Sequence, residues 1–189
     1  MARGRELKTA GKSFQEIFYD VFIPLMQELG MLWQTDTISP AHEHFITFLI
    51  KQKLLIQTEQ LQVLKPRKTD KVFVLSLPMN EIHELGLMYL NYEILSKGYK
   101  TIYLGESMPI ENLKDLKKHF DSIVFVSYLT VQPDKESIND YVNKMKQELE
   151  DDTTQLWYIG RMVEHIESSN LSNSMLVFNS IESLVSVIK

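Results

Sequence analysis

The 189-residue sequence contains no cysteine, which excludes a disulfide framework, a thiol nucleophile and a thiolate metal site. It also lacks any uncharged apolar window of about 18 residues, the length a membrane span requires. The N-terminal stretch MARGRELKTAGKSF carries basic residues with no apolar run behind them, so neither a secretory leader nor a membrane anchor is expected and a cytoplasmic address is the simplest reading. Cations are not in excess: 20 Lys and Arg stand against 25 Asp and Glu, a net charge of -5. Phosphate binding draws on clustered cations, so no nucleic-acid surface is expected on this chain. No internal repeat or low-complexity tract is present. What remains is 44% hydrophobic, enough to bury a core in one domain or two small ones.

The chain falls into two unlike parts. From Phe14, the apolar residues Ile17, Phe18, Val21, Phe22, Leu25, Leu29 and Leu32 recur at three and four, the period of one long amphipathic helix, with Gly30 near its expected end. After QTDTISP, Ser39 suits a cap and Pro40 the first helical position of a second helix through Phe45, Phe48, Leu49, Leu55 and Ile56 towards Leu64. The charged segment KPRKTD with Pro66 breaks the pattern, and we expect a helical domain over 1–66 and a second domain over 70–189.

That second part alternates. The apolar runs KVFVLSL, KTIYLG, SIVFVSYL, QLWYIG and SMLVFN predict five strands, with amphipathic stretches such as 82–95 and 138–149 between them. Near-continuous apolar strands joined by helical crossovers imply α/β architecture: a doubly wound parallel sheet covered on both faces. Ligands of such sheets bind outside the carboxyl ends of the strands. His83 lies just past the first of these ends, Ser127 and Leu129 at the third and Gly160 at the fourth. Neutral imidazole is a good ligand for transition metals, and a nearby carboxylate such as Glu81 holds its other nitrogen and raises its basicity. A histidine that merely caps or faces solvent is the plainer alternative.

The stretch from Asn80 onward, NEIHELGLMYLNYEILSKGYKTIYLGESMPIENL, resembles the cobalamin-binding signature Asp/Glu-x-His-x-x-Gly, with Glu81, His83 and Gly86 in register and Gly98, Tyr99, Leu104 and Gly105 following as in that family. Ser127-Tyr128-Leu129 resembles its Ser-x-Leu element, and Ile159-Gly160 stands where it usually has Gly-Gly. In the helical half, Trp33 followed by Glu43 and His44 resembles the helical cap of light-responsive MerR-type repressors, the CarH and LitR group.

The resemblance implies a four-helix-bundle-like cap followed by a flavodoxin-like, Rossmann-like five-stranded domain. It implies that cobalamin, most simply adenosylcobalamin, is bound by Trp33, Glu43, His44, Glu81, His83, Gly86, Ser127, Leu129 and Gly160. His83 would be the metal ligand below cobalt, Glu81 would orient it, Gly86 would make room for the displaced nucleotide tail, Ser127 would supply that tail a hydroxyl, and Trp33, Glu43 and His44 would lie on the upper side. It further implies a homo-oligomer that is not an enzyme and reaches DNA through a helix-turn-helix module absent from this chain. On residue pattern alone, Trp33 shares the stripe of Phe22, Leu25 and Leu29 and reads as core. His42 and His44, two apart on a helix, do not make a zinc pair.

Two departures stand out. Ile159 replaces a glycine, and a β-branched side chain narrows the tail slot. Gln34 stands where the light-responsive repressors carry a histidine that ligates cobalt after photolysis, and glutamine is a poor ligand for cobalt. Three functions therefore compete: a cobalamin-dependent sensor, a corrinoid methyl carrier serving a methyltransferase, and an interaction domain that has lost the cofactor.

Overall fold

The computed structural model describes residues 11–35 and 37–188. The side chains of Trp33 and Gln34, and the expectations placed on them, lie outside the described residues. The chain divides into two compact units, Met1–Gln57 and Thr58–Lys189.

In the first unit, Ser13 and Glu16 form a reciprocal capping box at the start of α1 (Phe14–Ile17), satisfying two otherwise orphaned amides. The single helix predicted there is interrupted: α1 passes through a π turn (Phe18–Phe22) into α2 (Ile23–Gln34). Pro24 stands at the exit of that turn and has no N–H to donate back, which favours a change of hydrogen-bond register just before it. The turn brings Phe22 edge-on to Phe14 and Phe18, with ring centroids 6.2 and 6.1 Å apart. Gly30 lies inside α2. At the helix end the Thr35 hydroxyl bonds the Met31 and Leu32 carbonyls. In α3 (Pro40–Gln62) Pro40 takes the first position, as read from the sequence. The Ser39 hydroxyl, predicted as a cap, bonds the His42 ring at 2.9 Å. Ile50 and Leu54 are buried, while Phe45, Phe48, Leu55 and Ile56 are exposed.

The second unit runs β1 (Lys68–Ser76), α4 (Leu85–Ser96), β2 (Tyr99–Gly105), α5 (Ile110–Leu113), β3 (Ile123–Tyr128), α6 (Ile138–Leu149), β4 (Thr154–Ile159), β5 (Met175–Phe178) and α7 (Ile181–Val187). All strand pairs are parallel and the order is β2-β1-β3-β4-β5, the flavodoxin-like doubly wound arrangement whose direction reverses beside β1 and β3. Strand side chains alternate between faces. Val74, Phe125, Leu156 and Tyr158 pack with Ile110, Leu113, Ile138, Val142, Met145 and Leu149 of α5 and α6. On the other face Phe73, Trp157 and Phe178 form a ring ladder, 5.5 and 5.2 Å between centroids, on the side of α4 and α7.

Two boundaries differ from the sequence reading. β1 begins at Lys68, inside KPRKTD, because Lys68 pairs with Tyr99 across a register irregularity. α4 begins at Leu85 instead of Ile82. The Glu84 amide donates to the Ile82 carbonyl at 2.9 Å, a tight turn that keeps 82–84 out of the helix, and the amides of Ile82 and His83 go to the Glu81 carboxylate. No helix among the described residues is long and apolar enough to cross a membrane.

Candidate functional site

The chain leaves β1 through Leu77 and Pro78 and turns at Asn80, whose positive φ of 66° is one that asparagine tolerates well. The Asn80 amide bonds the Ser107 hydroxyl of the loop after β2 at 3.2 Å. The turn delivers Glu81 inward, 1% exposed. One oxygen, Oε1, accepts the amides of Ile82 and His83, each at 2.9 Å, and contacts His83 Nδ1 at 2.6 Å. The other, Oε2, accepts the amides of Val131 and Gln132 in the loop after β3 at 2.6 and 2.8 Å. One carboxylate thus ties together the two loops that flank the switch point of the sheet.

Burial by itself pushes the Glu81 carboxyl up; the amide bonds from Gln132, Val131 and His83 and the bond to the His83 ring outweigh it and hold the group at about 2. Glu81 is therefore ionised and only accepts, so in the 2.6 Å contact the ring donates through Nδ1–H. With Nδ1 so engaged, the tautomer that can bind a metal carries its lone pair on Nε2. The His83 side chain is 54% exposed. A fixed tautomer on an exposed ring at the carboxyl edge of the sheet is an arrangement suited to binding a metal from outside. The next residue is anchored too, since the Tyr103 hydroxyl donates to Glu84 Oε2 at 3.0 Å.

Gly86 lies in the first turn of α4, against β3. A Cβ there would fall 2.5 Å from Cζ and 2.6 Å from the hydroxyl oxygen of Tyr128, so the missing side chain makes room for that phenol ring. Tyr128 pairs in register with Ile159, which is 1% exposed. Ser127 points to the opposite face, fully buried, with its hydroxyl 2.9 Å from that of Tyr141 on α6. Burial pushes the Tyr141 phenol up to about 12, and the Ser127 bond works against that shift. Leu129 donates its amide to Ile159 at 2.7 Å and accepts from Met162 at 3.0 Å. Gly160 has a φ of 120°, and a Cβ there would collide with the Leu129 carbonyl, so its glycine is required by backbone crowding. On the α6 side of the edge a cavity of about 290 Å³ is lined by Pro78, Met108, Ile110, Pro133, Tyr141 and Lys144.

Glu81, His83, Gly86, Leu129 and Gly160 thus belong to one carboxyl-edge assembly, while Ser127 is turned away from Gly86 by strand alternation. Glu43 and His44 lie on α3 in the other unit. There Glu43 accepts the Thr47 hydroxyl at 2.7 Å, and the His44 side chain is 81% exposed. Among the described residues no group of three or more His, Asp or Glu is arranged to hold a metal ion. Sequence reading passed over Tyr128 as the free position of Ser-x-Leu and did not anticipate the Val131 and Gln132 amides. A bulky residue facing an unexplained helical glycine was the available signal for the first; backbone donors leave none.

Residues 4–56 match the B12 binding domain family. The chain is 24% identical over 139 residues to the HTH-type transcriptional repressor CarH of Myxococcus xanthus, covering 74% of this chain and 42% of that protein. To the repressor CarA of the same organism it is 29% identical over 100 residues, 52% of this chain and 32% of that protein. The chain therefore spans less than half the length of either curated relative. In fold it is similar to the monomethylamine corrinoid protein of Methanosarcina barkeri, with a TM-score of 0.77 at 13% identity over 97% of this chain and 86% of that one. A cobalamin-binding protein from Desulfitobacterium hafniense DCB-2 gives a TM-score of 0.52 at 18% identity over 86% and 76%. By these matches residues 4–56 are similar to the B12 binding domain family, and the chain is a sequence relative of the HTH-type repressors CarH and CarA.

Proposed function

We propose that this chain is the corrinoid-sensing, non-catalytic region of a MerR-type transcriptional regulator and takes up cobalamin in its adenosyl form with His83 as the lower ligand to cobalt. One observation carries the reading: the buried, ionised Glu81 fixes Nδ1–H of an exposed His83 at the switch point of the sheet. The donor set fits the group, because imidazole suits transition metals and a carboxylate on its far nitrogen strengthens it. When bound, adenosylcobalamin supplies a cobalt–carbon bond that light can cleave.

The remaining roles belong to the same proposal. Leu129 and Gly160 shape the carboxyl edge, Ser127 stiffens β3 against α6, and Trp33, Glu43 and His44 of a helical cap over 1–66 serve the upper side of the ring. Gln34 would offer cobalt no strong ligand, so after illumination the upper side would be left to water or to His44. Assembly into a homo-oligomer is supported by the exposed apolar residues Phe45, Phe48, Leu55 and Ile56 on α3. DNA is reached through a module outside this chain, consistent with the net charge of -5, and the protein is placed in the cytoplasm. A methyl carrier would share the histidine, but the sequence relatives are repressors. The interaction-domain reading draws on Tyr128 and Ile159, whose bulk stands in the proposed slot.

The test is uptake of adenosylcobalamin or of cobinamide by the purified chain, followed by absorbance. Imidazole coordination lost in His83→Ala supports the proposal. Failure of the folded wild type to take up either compound sinks it in favour of the interaction domain.

A further inference from the structure

We propose that the nucleotide slot of this chain is shut by its own side chains, Tyr128 above all, so that the site takes a tail-free corrinoid, of which cobinamide is the simplest, in preference to complete cobalamin. The inference rests on the lower-ligand reading of His83 and revises that reading only in the tail: the cobalt and its adenosyl group stay as proposed, and the nucleotide arm is what the site disfavours.

Cobalamin carries its own base on a nucleotide arm that occupies the lower face of the ring. A protein imidazole at that position displaces the base, which then needs a flat space within reach of His83. The element entered directly after His83 is α4, and Gly86 in its first turn is where a side chain is withheld. That room is already taken. The Tyr128 ring lies where a Cβ on Gly86 would come within 2.5 Å of Cζ and 2.9 Å of Cε2.

The neighbouring strand does not relieve the crowding. Ile159, paired in register with Tyr128 and therefore on the same face, is buried. Beyond it, the space a side chain on Gly160 would use is filled by the Leu129 backbone. Ile159 is thus bulky where the resemblance implied a glycine, and Tyr128 fills the room that Gly86 leaves. On the opposite face the Ser127 hydroxyl is committed to Tyr141. Interiors packed in this way resist added volume. A corrinoid without the arm has no base to house and asks of this surface only the His83 ring that Glu81 holds.

Wild type, Tyr128→Phe and Tyr128→Ala chains are titrated with hydroxocobalamin and with aquacobinamide, and both affinities are read from absorbance. Cobalamin must also give up its own base, so the deciding quantity is how the ratio of the two affinities changes with residue 128. The expected result is a strong cobinamide preference in wild type and Tyr128→Phe. In Tyr128→Ala that preference falls by about 10- to 100-fold, the usual penalty of overpacking, through tighter cobalamin binding at unchanged cobinamide affinity. Should Tyr128→Ala not fold, Tyr128→Val removes the ring while keeping a strand former. A ratio near one in wild type, or a preference unchanged when the ring is removed, overturns the shut slot and leaves the role of His83 standing; the first of these places the tail elsewhere, such as the α6-side cavity. Uptake of neither compound by any folded variant overturns the His83 reading and this inference together.

Discussion

Glu81 Oε1 holds the His83 ring through Nδ1 at 2.6 Å while Oε2 of the same carboxylate accepts the amides of Val131 and Gln132. The bond that orients the proposed ligand is therefore the bond that joins the loop after β1 to the loop after β3. Loop order and ligand geometry are one property here.

Glu81→Gln is expected to weaken both. A neutral amide has one accepting oxygen, so on one side of the group amides that now donate would face an NH₂. Leaving buried donors unsatisfied costs roughly 1–3 kcal/mol each, and chemical denaturation of the variant should show a loss of about that size. Corrinoid affinity should fall about 10- to 100-fold, as for other changes to a ligand's supporting hydrogen bond. A variant as stable as wild type would show that the loop network contributes little.

Acid should destabilise the second unit. The Glu81 carboxyl is held at about 2 in the fold against an ordinary 4.5. Between those values the unfolded chain binds more protons, so stability rises with pH. The contribution is present above about pH 4.5 and disappears as pH falls through about 2, and the shift corresponds to at most about 3 kcal/mol. Asp151, held well below its usual range by the Lys117 ammonium, acts in the same direction. Urea titrations at stepped pH should show the decline, with a shallower slope in Glu81→Gln.

Glu93 should behave in the opposite sense. It is 4% exposed on α4 and accepts the Tyr89 hydroxyl, and burial pushes its carboxyl up in spite of that bond and of Lys97. A raised carboxyl contributes fully below its unfolded value and loses the contribution as pH rises through the folded one. Glu93→Gln is therefore expected to be at least as stable as wild type at pH 7 and less favourable below pH 4. Marked destabilisation at pH 7 would contradict this.

Gly86→Ala and Tyr128→Ala form a cycle whose sign is informative. In a helix alanine is ordinarily better than glycine by about 1 kcal/mol. Here the added methyl group would meet the Tyr128 ring, so Gly86→Ala should destabilise wild type. In the Tyr128→Ala background the same substitution should be neutral or stabilising. Additive effects in thermal melts would separate the two residues.

The sequence by itself determined the α/β architecture, because runs such as VFVLSL and IVFVSYL lack the alternation of a one-sided sheet and are too short for buried helices. The order of elements and the helix over residues 138–149 were legible for the same reason: apolar period and turn residues are local signals. His83 and Glu81 were legible as a pair because they are two residues apart. Tertiary structure decided what local signals do not carry. Strand order 2-1-3-4-5 brought Val131 and Gln132, fifty residues away, onto Glu81. The π turn before Pro24 followed from a missing backbone donor, and the start of α4 at Leu85 from the tight turn over 82–84 beside the anchored Glu81. Register placed Tyr128 beside Ile159, and crossover packing laid its ring on Gly86. A glycine's purpose depends on what stands opposite it, and that neighbour is chosen by packing between elements remote in sequence.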